Sequence, residues 1–458
     1  MLNLLLAAAV VAHPVIPVTP ARAAVSEGLP IKRPAAVGMS AARLANIDRV
    51  VERGIKAGGY PGAAVVVGRK GAAVWEKGFG RLGWTPESGP VSAENTIYDL
   101  ASLTKVVGTT TAVMVLFDEG KLHLDDPVSR FIPEFSGGAK ENVTIRMLLE
   151  HRSGLPAGRD LWRLAHTPEE ARAMVIATPL VAAPGQTYEY SDLGADMLGF
   201  TVEAIAGESL DTFLQRRVFV PLGMSDTHFR PDASLRGRVA PTEITPPRGY
   251  PLRGEVHDEN AYALGGVAGH AGLFSTVRDL SIFAQMLLNG GVYSDVRIVS
   301  DSAVQLFTHR AAGTRALGWD TCAGTGGCGQ YLGVNAYGHT GYTGTSLWID
   351  PDREMFVVLL TNRVHAARAR RPAKVISDVR ADLADAAALA VTDVAGGPIA
   401  MPRAFRADRA VGWNRPERSA RHGKSRRGKS AASRSRSKSG KHPVSKKPSR
   451  RTKSAKTH

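Results

Sequence analysis

Two strand pairs at opposite ends of this chain constrain its fold more than anything between them. The first, 62-GAAVVVGRKGAAVWEKGFG-80, is two apolar runs joined by a tight Arg-Lys-Gly turn. The second lies far downstream in 339-HTGYTGTSLWIDPDREMFVVLLTNR-363, where SLWI and MFVVLLT flank a Pro-Asp turn. A helical apolar pattern (Leu44, Ile47, Val50, Val51, Ile55) precedes the first pair, with Ser40 as a candidate cap and Gly58-Gly59 as its end. Another helix, roughly 366–390, follows the second. Joined, these ends predict an α+β fold: one antiparallel sheet flanked by terminal helices, with both ends of the domain close together. The middle reads as a mainly helical lobe, about 123–290, with helices at 144–150, 168–178, 193–206, 210–220 and 277–289. Within it, the Pro/Gly-rich stretch 231–264 reads as loop. A short helix at 298–310 and a candidate strand at 330–338 complete the pattern. The crevice between sheet and lobe is where a small-molecule site belongs.

The formal charge of +16 over 458 residues suggests a nucleic-acid partner until it is located. Of 58 Lys and Arg and 42 Asp and Glu, 17 and one fall in residues 411–458, which leaves 41 of each sign elsewhere. The basic character therefore belongs to a Lys/Arg/Ser tail, too poor in apolar residues to offset its ordering entropy. That tail suits an anionic envelope polymer. Specific nucleic-acid recognition is not expected, since no aromatic residues interleave its charges. At the other end, an apolar run from Leu2 to Ala12 precedes Ala21-Arg22-Ala23, the pattern of an export signal (1–23) cleaved after Ala23, although its start lacks Lys and Arg. His13 and Pro14 break the run too early for a membrane span, and no later stretch reads as one. The expected order is signal 1–23, linker 24–39, domain 40–390, linker 391–410 and disordered tail 411–458. The product would be periplasmic, envelope-associated or secreted.

Chemistry is concentrated at 95-NTIYDLASLTKVVGTTTAVMVLFDEGKL-122, where Ser102 and Lys105 stand three residues apart at the head of an apolar helical run. That spacing puts both on one face, near unpaired N–H groups that favour negative charge. A hydroxyl beside an amine can be a nucleophile with its own proton acceptor; by itself the pair is equally an N-cap serine and a solvent lysine. Tyr190-Ser191-Asp192 offers a phenol that becomes a strong base beside an ammonium, or a half-buried core tyrosine. His339-Thr340-Gly341 precedes an apolar strand whose edge could hold an extended peptide or amide, or is ordinary strand-edge polarity.

In order and spacing (88 and 149 residues), S-L-T-K, Y-S-D and H-T-G resemble the serine β-lactamase and penicillin-binding-protein superfamily. The likeness is to its class C-like branch: class C β-lactamases, D-alanyl-D-alanine carboxypeptidases or endopeptidases, and esterases of the same fold. It extends through 146-RMLLEHRSGLP-156, 184-PGQTYEYSDLG-194, 266-GVAGHAGLFST-276 and 338-GHTGYTGTSLWIDP-351, about residues 40–390 in all. The resemblance implies an exported hydrolase cleaving an ester or amide, such as a D-Ala peptide, through a Ser102 acyl-enzyme. Alternatives within it are a β-lactamase and a catalytically impaired penicillin- or peptidoglycan-binding protein. By the same resemblance Lys105 keeps the site positive, Tyr190 is the general base, and the main-chain N–H groups of Ser102 and Tyr342 form the oxyanion hole. Asp192, His339, Thr340 and Gly341 would position the substrate. Two departures stand out: Asp192 replaces an asparagine and can only accept hydrogen bonds, and His339 replaces the lysine of K-T-G.

His151 and His270 read as structural or cleft-lining side chains. With 257-HDEN-260 they lack paired metal-ligand spacing, so no metal is expected. No dinucleotide fingerprint or phosphate loop occurs, and no cofactor is expected. Cys322 and Cys328 either close a short glycine-rich loop after export or remain two thiols.

Overall fold

A computed structural model of the chain describes residues 27–310, 313–324, 327–365, 372–394 and 396–414. The expected signal 1–23, and all but the first four residues of the tail 411–458, lie outside the described residues. Among the described residues the strands are β1 (Gly62–Arg69), β2 (Ala72–Gly80), β3 (Tyr98–Asp99), β4 (His228–Phe229), β5 (Leu273–Ser275), β6 (Val292–Tyr293), β7 (Val296–Arg297), β8 (Asp320–Thr321), β9 (Tyr337–Thr340), β10 (Ser346–Asp350) and β11 (Met355–Thr361). The main sheet has the order β2-β1-β11-β10-β9-β8, every neighbouring pair antiparallel. The first and last hairpins meet at its centre, where Val66 pairs with Val358. Lys70 and Gly71 both take positive φ (49° and 78°), the two-residue turn that matches strand twist in the first hairpin.

β1 and β11 are buried along their whole length because the sheet is covered on both faces. Side chains alternate across it. Ala63, Val65, Val67, Val357 and Leu359 pack under the terminal helices Asn46–Lys56 and Ala373–Leu389. Ala64, Val66, Val358 and Leu360 join the larger core shared with the helical lobe. Each buried Val or Leu contributes about 1.5–3 kcal/mol. A one-residue slip of β1 would exchange the two sets.

In the lobe, helix starts follow the expected chemistry. Thr144, Thr167, Ser191, Thr276 and Ser300 each accept a bond from the backbone N–H three residues on, capping helices Ile145–Leu149, Pro168–Ala177, Asp192–Ala206, Val277–Leu288 and Asp301–Thr308. The 210–220 helix continues through a π segment, Gln215–Phe219.

In the central run Tyr98–Asp99 pairs as β3, and helical structure follows as Ala101–Leu103, Lys105–Thr110 and Thr111–Asp118. Three expectations need correction. Residues 330–336 are not strand, because the Gly333 and Asn335 N–H groups turn onto the carboxylates of Asp350 and Asp352 (2.8 and 3.2 Å), and pairing starts at Tyr337. The 231–264 stretch holds two short helices, Ala233–Arg238 and Glu259–Ala263. The expected 366–390 helix is described from Ala373, residues 366–371 lying outside the described set. Neither expected linker is loose. Val37 and Met39 are buried on the terminal-helix side of the sheet. In the 391–414 stretch Phe405 and Trp413 are buried there too, while Arg406 bonds Asp382 and Asp385 and the Trp413 indole donates to Asp378 (2.9 Å). No helix among the described residues is long and apolar enough to cross a membrane.

Candidate active site

Ser102 stands one residue after a strained backbone position. Ala101 has φ 48°, a left-handed conformation that costs a non-glycine residue on the order of 1 kcal/mol or more. Bonds from several sides hold it there. The Ala101 N–H donates to Asp99 Oδ1 (2.8 Å), the Leu100 N–H to the Leu273 carbonyl (2.9 Å), and the His257 N–H to Asp99 Oδ2 (2.7 Å). The hydroxyls of Thr343 and Thr345 donate to the carbonyls of Asp99 and Leu100 (2.7 and 2.8 Å). These last two bonds lay the 341–345 turn against the backbone that leads into Ser102. Gly341 is required by that approach: a Cβ there would sit 2.3 Å from the Leu100 carbonyl oxygen and 2.1 Å from Thr345 Oγ1. Behind the turn, the buried Arg380 guanidinium donates to the carbonyls of Gly341 and Thr345 (2.6 and 2.9 Å). Burial, and then the neighbouring Arg363, lower the Arg380 pKa to about 9.

One helical turn on, Lys105 is 3% exposed. Its ammonium donates to Ser102 Oγ (3.1 Å) and to the His270 carbonyl (3.2 Å), and pairs with Asp192 Oδ1 at 2.7 Å. Burial pulls its pKa down, but the carboxylate of Asp192 and then Tyr190 outweigh it, and the lysine is held above its ordinary range as a cation. The Tyr190 ring centre lies 4.9 Å from the ammonium. Tyr190 and Asp192 are set by the 151–157 segment: the Ser191 N–H donates to His151 Nδ1 (3.1 Å), the Ser191 hydroxyl to the Pro156 carbonyl (2.6 Å), and the Asp192 N–H to the Ala157 carbonyl (2.8 Å). His151 is the second residue here with positive φ (56°), and its ring packs on Tyr190 at 4.6 Å. Its pKa is lowered, by burial first and then by Arg315 and Lys105.

Ser102, Lys105, Tyr190, Asp192, His151 and the 339–342 stretch thus converge. His339 is 2% exposed, stacked on Tyr190 at 6.0 Å, with Nδ1–H donating to the Thr340 carbonyl (2.8 Å). Burial lowers its pKa to about 4, so it is neutral near pH 7. Tyr342, 46% exposed, lies between the His257 ring (5.9 Å) and the Arg363 guanidinium (5.1 Å). His270 is not cleft-lining. Its ring is buried between Asp196 (2.7 Å) and Asp258 (2.9 Å), whose charges outweigh burial and hold its pKa well above the ordinary value. Both of its nitrogens are therefore engaged by carboxylates. Cys322 and Cys328 are joined, S–S 2.06 Å.

Sequence reasoning missed Arg315. It pairs with Asp320, donates to the Gly318 carbonyl (2.9 Å) and places its guanidinium 5.9 Å from the Tyr190 ring. With His339 neutral, Arg315 and Lys105 are the two cations over the Tyr190 ring among the described residues. Nothing in 313-GTRALGWD-320 signals this, because the contact is made across the fold by an irregular loop. Asp196 and Asp258 were missed as His270's partners; the only trace was 257-HDEN-260, considered and dismissed as a metal motif.

The chain matches a family model described as Beta-lactamase over residues 47–380. A candidate D-alanyl-D-alanine carboxypeptidase of Escherichia coli K12 is 34% identical over 372 residues, covering 73% of this chain and 85% of that relative. Among solved structures, the octameric penicillin-binding protein homologue of Pyrococcus abyssi aligns with a TM-score of 0.57 at 25% identity, over 70% of this chain and 73% of that one. A class C β-lactamase aligns with a TM-score of 0.60 at 19% identity, over 76% and 95%.

Proposed function

We propose, from the premise that this chain belongs to the β-lactamase and penicillin-binding-protein superfamily, that it hydrolyses an ester or amide through an acyl-enzyme on Ser102. The observation that carries the reading is the placement of Lys105 Nζ, 3.1 Å from Ser102 Oγ and 2.7 Å from Asp192, beneath the Tyr190 ring. An ammonium held charged by Asp192 is a poor base, so the role of base falls to Tyr190. In the first step Tyr190 takes the Ser102 proton as Oγ bonds the substrate carbonyl carbon. The oxyanion that forms is stabilised by the N–H groups of Ser102 and Tyr342, a role supported by the hydroxyl bonds that tie the 341–345 turn to the Asp99 and Leu100 carbonyls. As the tetrahedral intermediate collapses, the bond to the leaving nitrogen or oxygen breaks and that atom takes the proton from Tyr190. Water then attacks the acyl carbon, the acid departs and Ser102 regains its hydrogen. Thr340 and Gly341 lie along the strand against which the substrate would extend, and the neutral His339 supports Tyr190.

Within this class we take a D-alanyl peptide as the substrate, on the strength of the named Escherichia coli relative, and a cell-envelope location, on the strength of the signal-like first 23 residues. Incubation with a fluorophosphonate or a labelled penicillin, followed by mass spectrometry, tests the nucleophile. A single adduct on the peptide containing Ser102, absent from Ser102→Ala, is expected. Its absence from folded protein overturns the reading. Hydrolysis of D-Ala peptides, short acyl esters, other small amides and β-lactams, measured side by side, identifies the acyl group.

A further inference from the structure

The two donors of the proposed oxyanion hole have different partners behind them. A backbone N–H shares its amide with the carbonyl of the residue before it, so the Tyr342 N–H is coupled to the Gly341 carbonyl and the Ser102 N–H to the Ala101 carbonyl. The Ala101 carbonyl accepts a neutral group, the Thr104 N–H. The Gly341 carbonyl accepts the Gly344 N–H (3.0 Å) and also a cation, the Arg380 guanidinium (2.6 Å). The Gly341–Tyr342 bond is trans, which points its carbonyl and its N–H in opposite directions. The charge therefore stands at one end of this amide and the donor at the other.

Packing alone does not call for a charge here. Arg380 reaches in from the terminal helix Ala373–Leu389, and the Nη2 that meets Gly341 also donates to the Thr345 carbonyl (2.9 Å). A neutral amide side chain could satisfy both carbonyls without the cost of taking a cation out of water. No carboxylate among the described residues pairs with Arg380, and its Nε is buried with no hydrogen-bond partner among them. Glycine closes the cover over its stem: a Cβ on Gly327, in the Cys322–Cys328 loop, would come within 2.7 Å of Arg380 Cβ. A guanidinium so placed directs its charge at peptide carbonyls. The amide is a resonance system, so a cation that draws density onto its oxygen leaves the hydrogen on its nitrogen more positive. Hydrogen bonds in series strengthen one another in this way where water is scarce.

We propose that Arg380 is a positioning residue of the oxyanion hole, acting through the Gly341–Tyr342 peptide: its guanidinium fixes and polarises that amide, so that the Tyr342 N–H is the stronger donor to the charge that develops on the substrate oxygen. The inference rests on the hydrolase reading and deepens it, since it names which of the two donors is charge-assisted and by what. Removing an oxyanion donor outright costs about 10²–10³-fold in rate, and removing only the charge behind it should cost a part of that, about tenfold.

The test compares labelling of Ser102 by a fluorophosphonate (P=O) and by its thiono analogue (P=S), whose sulfur is a weak acceptor and draws little on an N–H donor. Arg380→Gln keeps a donor and loses the charge. In it the P=O rate should fall about tenfold and the P=S rate less than about twofold, which lowers their ratio at least about fivefold. Arg380→Lys keeps the charge and should hold the ratio within about threefold of the wild type. Rates are taken on the fraction that accepts label, so a misfolded portion does not mimic the effect. Equal loss of both rates (the mark of a structural brace), an unchanged ratio in Arg380→Gln, or a Lys variant no better than Gln would overturn the proposal. If Arg380→Gln does not fold, the pH profile of Arg380→Lys decides. Lysine gives up its proton at lower pH than arginine, so the ratio should fall at lower pH than in the wild type; superimposed profiles would overturn the proposal. Failure of the hydrolase reading looks different: the wild type then takes neither label.

Discussion

Asp192→Asn is the most informative single change, because it removes one charge from a buried pair and leaves the side-chain shape nearly intact. In the wild type the Lys105 ammonium is 3% exposed and 2.7 Å from the carboxylate. Two charges at such a distance attract by about 4–6 kcal/mol at an effective dielectric of about 20, most of it offset by desolvation. Breaking a fully buried pair costs about 3–5 kcal/mol. Here the Asp192 side chain is 34% exposed, and screening by solvent reduces the expected loss to about 1–3 kcal/mol. The pH dependence follows from the direction of the Lys105 shift. In the wild type its folded pKa is raised, so its contribution is complete below the unfolded value of about 10.4 and flat from pH 6 to 9. In the variant only Tyr190 still opposes burial, so the folded pKa falls from its wild-type position, and once it lies below the unfolded value stability rises as pH climbs through it. The deficit should therefore be largest near pH 6–7 and shrink toward pH 10. Urea denaturation of both proteins at pH 6, 7, 8, 9 and 10 measures it. A loss under about 0.5 kcal/mol at pH 7, or a deficit that grows with pH, would refute the claim that Asp192 holds Lys105 charged.

Three further outcomes are expected. Arg315→Gln should slow fluorophosphonate labelling of Ser102 about tenfold, about 1.4 kcal/mol of barrier, with partial recovery in Arg315→Lys; equal stopped-flow rates in all three would remove Arg315 from any role at Tyr190. Gly341→Ala should destabilise by about 1–3 kcal/mol and slow labelling, because its Cβ meets the Leu100 carbonyl at 2.3 Å; an unchanged thermal midpoint would show that the turn can yield. His270→Ala leaves Asp196 and Asp258 facing each other without a cation and should cost about 3–5 kcal/mol. The raised pKa of His270 makes its contribution complete below about pH 6.5 and progressively lost as pH rises through the folded value, so the deficit should narrow with rising pH in denaturant titrations.

The parts of the molecule legible in the sequence are those written in local periodicity. The strands pairing at Val66 and Val358 are continuous apolar runs because both faces of the sheet are covered, and helix starts such as Thr144 and Ser191 carry their caps in the next turn. The grouping of Ser102, Lys105 and Tyr190 was legible only through the resemblance carried by the ordered S-L-T-K, Y-S-D and H-T-G motifs, since local pattern alone leaves each residue a bland reading. The 391–414 stretch was misread because its burial rests on few side chains, Phe405 and Trp413 among them, spaced without helical or strand period and set among Pro, Gly and Arg. The strand expected at 330–338 was displaced by bonds to Asp350 and Asp352, partners no local pattern reveals.

The same division runs through the site. Ser102 and Lys105 are held by bonds that do not depend on what is cleaved: the Asp99 and Leu100 carbonyls below, the His270 carbonyl behind. The electrostatic setting of Tyr190 is built otherwise. Its motif neighbour on the strand, His339, is neutral through burial, and the second cation comes from Arg315 on a loop that also carries the Cys322–Cys328 bridge a few residues on. Arg315 is itself buried and bonded to Asp320 of β8, so this cation is fixed to the edge of the sheet rather than carried on its β9 strand. Because Ala316, Leu317 and Trp319 of the same segment are core residues, the test exchanges Arg315 alone: Arg315→Lys and Arg315→Gln should alter which acyl donors label Ser102. An unchanged donor profile in both would return the determinant of acyl preference to the strand.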